Sequence, residues 1–504
     1  MFIVSGLALM KKFPSAQTIL LIISAFVALL TWIIPAGQYA SLSYDNSEQV
    51  FLKSSEGSTQ KLPATRQTLD ELNVQIPLEN FTSGAIYKPI GIPGTYQRLE
   101  SNPQGFFELV QAPVKGIVET ADIIFLVLII GGLVGIVDKS GAFSSGIAWL
   151  SDFLRGREYI LIITTTLLIG LGGTTFGFGE ECIAFLPILI PVFLAAGYDA
   201  LVAIATVFLG SQVGVLASIT NPFSTIIASD SAGITWTTGL DGRIVMFVIC
   251  MTTTIIFLLH YAKKIKADPS KSVIFDQKQQ MENMFGSVKT DVPALSIRYK
   301  LILLIFILSF VVMVSGVIML DWWFIEMTSV FVFASILIGL VGKMKENDFI
   351  HAFTKGAGEL LGVTFIIGIA RGISILMNDG LITDTILFYA SNFTAGMGKA
   401  LFINALFGVY NVLAFFVSST SGTAVLTMPI MAPLADTVDI GRESVVNAYQ
   451  FGNGIFNLVN PTSLVLAFLG VAEIGYDRFL KFVWPLIVIL TIICMVFLTI
   501  SISI

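Results

Sequence analysis

Residues 172–193 read GGTTFGFGEECIAFLPILIPVF. Two adjacent carboxylates, Glu180 and Glu181, stand between a glycine-rich turn and an apolar run. Acids in such surroundings are costly in lipid, so their meaning depends on the class of chain around them. That chain has 504 residues, 55% of them hydrophobic and 12% charged, with a mean hydropathy of +0.86. Such values belong to polytopic helical membrane proteins and exclude a soluble domain.

Several function classes fall away on composition. No basic stripe interleaved with aromatics is present, so no nucleic-acid partner is expected. Cys182, Cys250 and Cys494 all lie in apolar segments, and with His260 and His351 far apart they offer neither a disulfide framework nor a metal site. An intramembrane enzyme would need a nucleophile with a base or a metal cluster, and neither is suggested. No cofactor is expected, only a lipid bilayer, a small-molecule substrate and a coupling ion (sodium or proton) or counter-substrate.

Working outward from the acid pair, nine segments are apolar and long enough to cross a bilayer: 18–35, 122–138, 201–220, 243–261, 301–320, 323–341, 361–377, 445–469 and 479–500. Two apolar pairs differ, residues 160–171 with 183–196 and 400–417 with 424–435. Each pair has a short arm and a Gly/Ser/Thr-rich joint, which predicts re-entrant hairpins at 159–196 and 400–436 whose tips stop inside the membrane. Orientation follows from Lys and Arg. The stretch 263–300 has eight of them against four acids, whereas 37–117 has six against eight. The first is read as a cytoplasmic linker and the second as an external loop, either a partly ordered cap or a small folded element, with the N-terminus cytoplasmic.

The chain also repeats itself. Lys115-Gly116-Ile117-Val118-Glu119 matches Lys355-Gly356-Ala357-Gly358-Glu359 as K-G-x-x-E. Ile129-Ile130-Gly131 with Gly135 then matches Ile366-Ile367-Gly368 with Gly372. Pro187 and Pro191 match Pro429 and Pro433, and Asn221-Pro222-Phe223-Ser224 matches Asn460-Pro461-Thr462-Ser463. Four matches in one order indicate duplication. With segment 301–320 as an unpaired crossing, the second half is inverted relative to the first. The expected fold is therefore an all-α polytopic membrane protein of two inverted repeats, 1–262 and 321–504, each with a hairpin and a broken helix.

Candidate site residues lie where the helices break. Asn221, Pro222 and Ser224, with Asn460, Pro461, Thr462 and Ser463, read as either packing kinks or carbonyl-lined sites for substrate or a transient sodium. The second tip, Ser418 to Thr423, offers hydroxyls and a glycine; Thr420, Ser421, Gly422 and Thr423 suit an anion at a half-helix N-terminus, or close helix packing. Gly179, Glu180 and Glu181 occupy the equivalent place in the first half, as a proton site, a cation-recognition site or a hairpin anchor. Arg371 is either a carboxylate clamp or a structural partner of Glu180, Glu181 or Glu359. Asn453, with Gln212 and Asn457, is expected to line the cavity, while Glu119, Asp122 and Glu359 read as interfacial.

At these residues the chain resembles the YfcC-type branch of the C4-dicarboxylate anaerobic carrier (DcuC-like) family, within the ion transporter superfamily. The resemblance rests on Gly177-Phe178-Gly179-Glu180-Glu181, on S-x-S-G-x-A-x-L-T-M-P from Ser419 to Pro429, and on A-Y-Q-F-G-N-G from Ala448 to Gly454. It implies a bacterial inner-membrane secondary carrier, often a homodimer, with an elevator-like transport domain and substrate held between the hairpin tips and Asn-Pro loops. It also implies two substrate classes, C4-dicarboxylates and, in a related branch, basic amino acids. The Glu-Glu tip departs from the Ser-Asn-Thr-like tips of the dicarboxylate carriers, which favours an amino acid; a sodium- or proton-coupled C4-dicarboxylate is the alternative.

Overall fold

The computed structural model describes residues 14–502 except 56–57, 85, 87, 154–155, 286–294, 321, 395 and 418. After α1 (Ala16–Ile33) the chain forms a β-rich cap, then α4 (Phe106–Glu119), α5 (Ala121–Ser140) and α6 (Ala142–Phe153). A helical hairpin follows, α7 (Tyr159–Phe176) and α8 (Leu186–Ala195), and then α9 (Ala200–Leu216), a break, the short α10 (Ile227–Ser231) and α11 (Leu240–Ala267). Beyond the linker helix α12 (Lys278–Phe285) and α13 (Ile297–Leu320) comes α14 (Phe324–Val341), and the order then recurs. It runs through α15 (Glu346–Glu359), α16 (Leu361–Asp379), α17 (Thr383–Thr394), the hairpin α18 (Lys399–Phe416) and α19 (Thr420–Asp436), α20 (Arg442–Asn457), a break, α21 (Val465–Gly470) and α22 (Tyr476–Ser501). Among the described residues, α13, the linker helix α12 and the helices of the cap have no counterpart in the other half.

Polar contacts place the cap and the linker at opposite ends of the bundle. Linker-side groups hold the feet of the first hairpin: Lys266 pairs with Glu158 at 2.9 Å and Ser272 donates to Asp199 at 2.6 Å. The start of α22 sits there too, with Arg478 and Asp276 at 3.0 Å. Cap residues instead meet the second hairpin's end of the molecule. The N–H of Tyr39 donates to Asp384 at 2.9 Å, Asn80 donates to the Asp230 carbonyl at 3.2 Å, and Arg442 holds both Asp436 and Gln75. The two hairpins therefore enter from opposite ends, as inverted repeats require.

The repeated sequence motifs pack across the halves. A Cβ on Gly116 would lie 2.1 Å from the Gly368 carbonyl and 2.7 Å from the Gly372 nitrogen, and one on Gly356 would lie 2.3 Å from the Gly131 carbonyl and 2.9 Å from Gly135. Thus the K-G-x-x-E helix of each half lies directly on the I-I-G-x-x-x-G helix of the other. In lipid no hydrophobic force drives helices together, so backbone approach through small residues supplies the contact. Large apolar side chains face outward on α1, α13 and α14, among them Leu29, Ile307 and Phe333, as lipid-facing surfaces do.

The structure adds detail at three places. The segment after α1 is a folded unit with a four-stranded antiparallel sheet, β4 (Ser58–Pro63), β3 (Val50–Ser55), β2 (Ser41–Asp45) and β5 (Ile90–Gly91), beside a two-stranded pair, β1 (Gly37–Gln38) with β6 (Gln97–Arg98). Two short helices, α2 (Arg66–Glu71) and α3 (Leu78–Thr82), close it over Leu42, Phe51, Leu69, Phe81 and Ile90. The second hairpin has full-length arms, 18 and 17 residues, because Ser419 caps α19 by accepting the Gly422 N–H at 3.1 Å and so makes the tip residues helical. Among the described residues seven helices are long and apolar enough to span, α1, α5, α11, α14, α16, α18 and α22, so α18 joins six of the nine expected crossings. The other three, α9, α13 and α20, are helices of 17, 24 and 16 residues.

Candidate functional site

The first tip is a tight structure. Gly177 ends α7 in the left-handed region, at φ 78°, where a side chain would also press on Asn221. A short 3-10 turn, Glu180–Phe185, then leads into α8. The Glu181 carboxylate accepts the N–H of Gly179 at 3.1 Å, and Ser211 of α9 bonds the Phe178 carbonyl. Both glutamates are half-buried.

In the second tip Tyr449 of α20 donates to the Thr420 carbonyl at 2.8 Å and Tyr410 donates to Thr427 at 3.0 Å. Ser421 receives a hydrogen bond from Lys88 of the cap, 2.7 Å away. Thr423 bonds back to the Ser419 carbonyl at 3.0 Å and is buried. Ser418 lies outside the described residues.

Both Asn-Pro breaks follow one plan. Asn221 accepts the Phe223 N–H at 2.8 Å and donates to the Gly173 carbonyl in α7 at 3.4 Å. Asn460 accepts the Thr462 N–H at 3.0 Å and donates to the Ala414 carbonyl in α18 at 2.8 Å. Each proline removes a backbone donor, and each asparagine turns the chain and ties it to the hairpin of its own half. The freed carbonyls are taken up by protein groups: Ala217 by Thr174 at 2.7 Å, Ser218 by Thr225 at 3.0 Å, and Val459 by Tyr476.

Between the tips lies a cavity of about 450 Å3, within the range of small-molecule sites. Of the predicted residues it is lined by Gly179, Glu180, Glu181, Asn221, Arg371, Thr420, Ser421, Thr462 and Ser463, with Gln212 and Asn457. Pro222, Ser224, Gly422, Thr423, Asn453, Asn460 and Pro461 stand behind this lining and shape it through the turns just described. The Oδ1 of Asn457 is buried without a partner among the described residues, leaving an acceptor in the cavity wall.

Two site assignments change. Arg371 pairs with Glu119, not with Glu180, Glu181 or Glu359, because the glycine crossing of α4 on α16 brings those two side chains together. Glu119 and Asp122 also line the cavity, while Glu359 is exposed beside Lys355 of its own helix. The sequence reading also missed Lys88 and the aromatic wall of Trp322, Trp323 and Phe223, the last two with ring centroids 5.3 Å apart. Two successive tryptophans at the end of α13 were a signal for that wall; nothing local marked Lys88.

The sequence pattern of the C4-dicarboxylate anaerobic carriers matches residues 13–503. A Haemophilus influenzae protein of no assigned function is 42% identical over 98% of this chain and 97% of its own length. Escherichia coli YfcC, provisionally named a basic amino acid antiporter, is 30% identical over 93% and 92%. Among solved structures, the YdaH transporter of Alcanivorax borkumensis aligns over 97% of this chain and 98% of its own, at 14% identity and a TM-score of 0.39. Neisseria gonorrhoeae MtrF, an antimetabolite efflux pump, aligns over 100% and 98% at 14% identity and a TM-score of 0.40.

Proposed function

The chain belongs to the C4-dicarboxylate anaerobic carrier family, and from that premise we propose that this secondary transporter exchanges amino acids, basic ones foremost, across the bacterial cytoplasmic membrane. One observation carries the reading. A single cavity gathers four acids, Glu119, Asp122, Glu180 and Glu181, against two cations, Lys88 and Arg371. With Arg371 engaged by Glu119, the chamber retains an excess of negative charge at the first tip. A ligand bearing ammonium or guanidinium groups as well as a carboxylate complements both signs. A dianion would be opposed by Glu180 and Glu181 unless they carried protons or met a cation. The provisional name of YfcC supports the same substrate class.

Transport on this reading is elevator-like. The hairpins and broken helices move as one body against a frame made by α4, α5, α15 and α16, with the cap external and the linker cytoplasmic. The second reading, a C4-dicarboxylate coupled to sodium or protons, draws on the two cations and on the family's description. Counterflow of radiolabelled arginine into proteoliposomes loaded with unlabelled amino acids, run beside succinate, separates the two. Arginine exchange without succinate uptake supports the first; ion-driven succinate uptake without arginine exchange replaces it with the second.

A further inference from the structure

Among the described residues, Lys88 is the one cavity-lining residue supplied by the cap. It lies between α3 and β5, with Ile86 and Ile90 on either side of it buried. Strand β5 is held in the cap sheet through Leu42 and Ser41 of β2, and a Cβ at Gly91 would sit 3.7 Å from the Leu426 carbonyl of α19. The cap therefore runs alongside the second hairpin as far as its tip. There the Lys88 ammonium donates to Ser421 at 2.7 Å.

Lys88 and Arg371 line the same cavity as Ser421. Burial, and then the Arg371 guanidinium nearby, push the Lys88 pKa down. A solute carboxylate is attracted by both cations and would share the Arg371 guanidinium with Glu119. A cap tether at this point would be served equally by a neutral side chain. The same cavity is lined by Glu180 and Glu181 of the first tip, whereas Lys88 and Ser421 belong to the cap and the second tip.

We propose that Lys88, with Arg371 and Ser421, forms the carboxylate subsite of the transported solute, so that one wall of the substrate chamber is delivered by the external cap. The inference rests on the carrier reading above and sharpens it. A basic amino acid would lie with its carboxylate toward the cap and its side-chain cation toward Glu180 and Glu181. Substrate occupancy and cap position are thereby coupled through a single side chain.

The test measures binding of arginine and of its decarboxylated analogue, agmatine, to the full-length carrier in lipid. Wild type is compared with Lys88→Met and Lys88→Arg. Loss of a charge-assisted hydrogen bond should weaken arginine about 10- to 100-fold in Lys88→Met, leave agmatine within about twofold, and spare Lys88→Arg most of the effect. Equal weakening of both ligands, or unchanged arginine binding, would overturn the subsite. If Lys88→Met does not elute as a single species, Ser421→Ala must show the same selectivity for the carboxylate in smaller degree, or the proposal fails. If wild type binds succinate and no amino acid, the substrate reading falls by itself. Lys88→Met then decides the subsite on succinate, where weaker binding retains it and unchanged binding removes it.

Discussion

Gly116 of α4 rests on Gly368 and Gly372 of α16, and Gly356 of α15 rests on Gly131 and Gly135 of α5. Three residues beyond these contacts the two crossings part company. Glu119 meets Arg371 in the lining of the cavity, whereas Glu359, among the described residues, is paired within its own helix, with Lys355 at 3.8 Å. Counting along the matched helices, Val134 stands where Arg371 stands in the other half. The hairpin tips differ in the same sense. Each is anchored by the same asparagine turn, yet one carries Glu180 and Glu181 and the other Thr420 and Ser421. Duplication preserved what close backbone packing demands, and a side chain beyond the contact could change without loosening it.

The largest expected effect tests the asymmetric part. A Glu180→Gln, Glu181→Gln double variant should lower arginine kcat/KM about 100-fold, against less than about 10-fold for Ser421→Ala, since only the former removes charge opposite a cationic group. Proteoliposome uptake measures both, and a double variant that transports to within about threefold of wild type would end the contrast between the tips.

The symmetric part is probed by thermal unfolding in detergent. Gly116→Ala and Gly356→Ala should each destabilise by about 2–3 kcal/mol, because each adds a methyl against backbone that cannot yield. Gly358→Ala, with nothing within 4 Å, is the control and should change stability little. Clearly unequal losses at Gly116 and Gly356 would show that the two crossings are not equivalent.

Smaller effects sharpen the picture further. Asn221→Ala and Asn460→Ala should each cost about 1–2 kcal/mol through the lost turn and the orphaned carbonyl, again alike in the two halves. Smallest of all, Arg371→Gln should cost about 1 kcal/mol and Glu359→Gln less than about 0.3 kcal/mol, since the first breaks a half-buried interhelical pair and the second an exposed one. Equal values would mean that Glu119 and Arg371 contribute no more than a surface pair.

Much of this arrangement was legible in the sequence. Hydropathy defined the membrane class, and the Gly/Ser/Thr joints with Asn-Pro located the hairpins and breaks, because each acts within one turn of its own position. The cap sheet was legible too. Residues 50–55, VFLKSS, follow a turn in which Asp45 accepts the Ser47 N–H at 2.8 Å, a hairpin signal obscured by the abundant Gly, Pro and Ser farther along. The amphipathic helices α4 and α15 were visible only as motifs of the repeat, their partners lying in the opposite half.

By itself the sequence determined a duplicated, inverted membrane carrier with acids at one tip and hydroxyls at the other, since composition, periodicity and repeat order are properties of the chain read in line. Tertiary structure alone decided which groups share the chamber. Arg371 meets Glu119 across 252 residues, and Lys88 meets Ser421 across 333. No local pattern encodes such pairs. They arise because glycine crossings draw the halves together and the cap sheet carries its own lysine down the flank of α19, a matter of packing at a distance rather than of any residue's own preference.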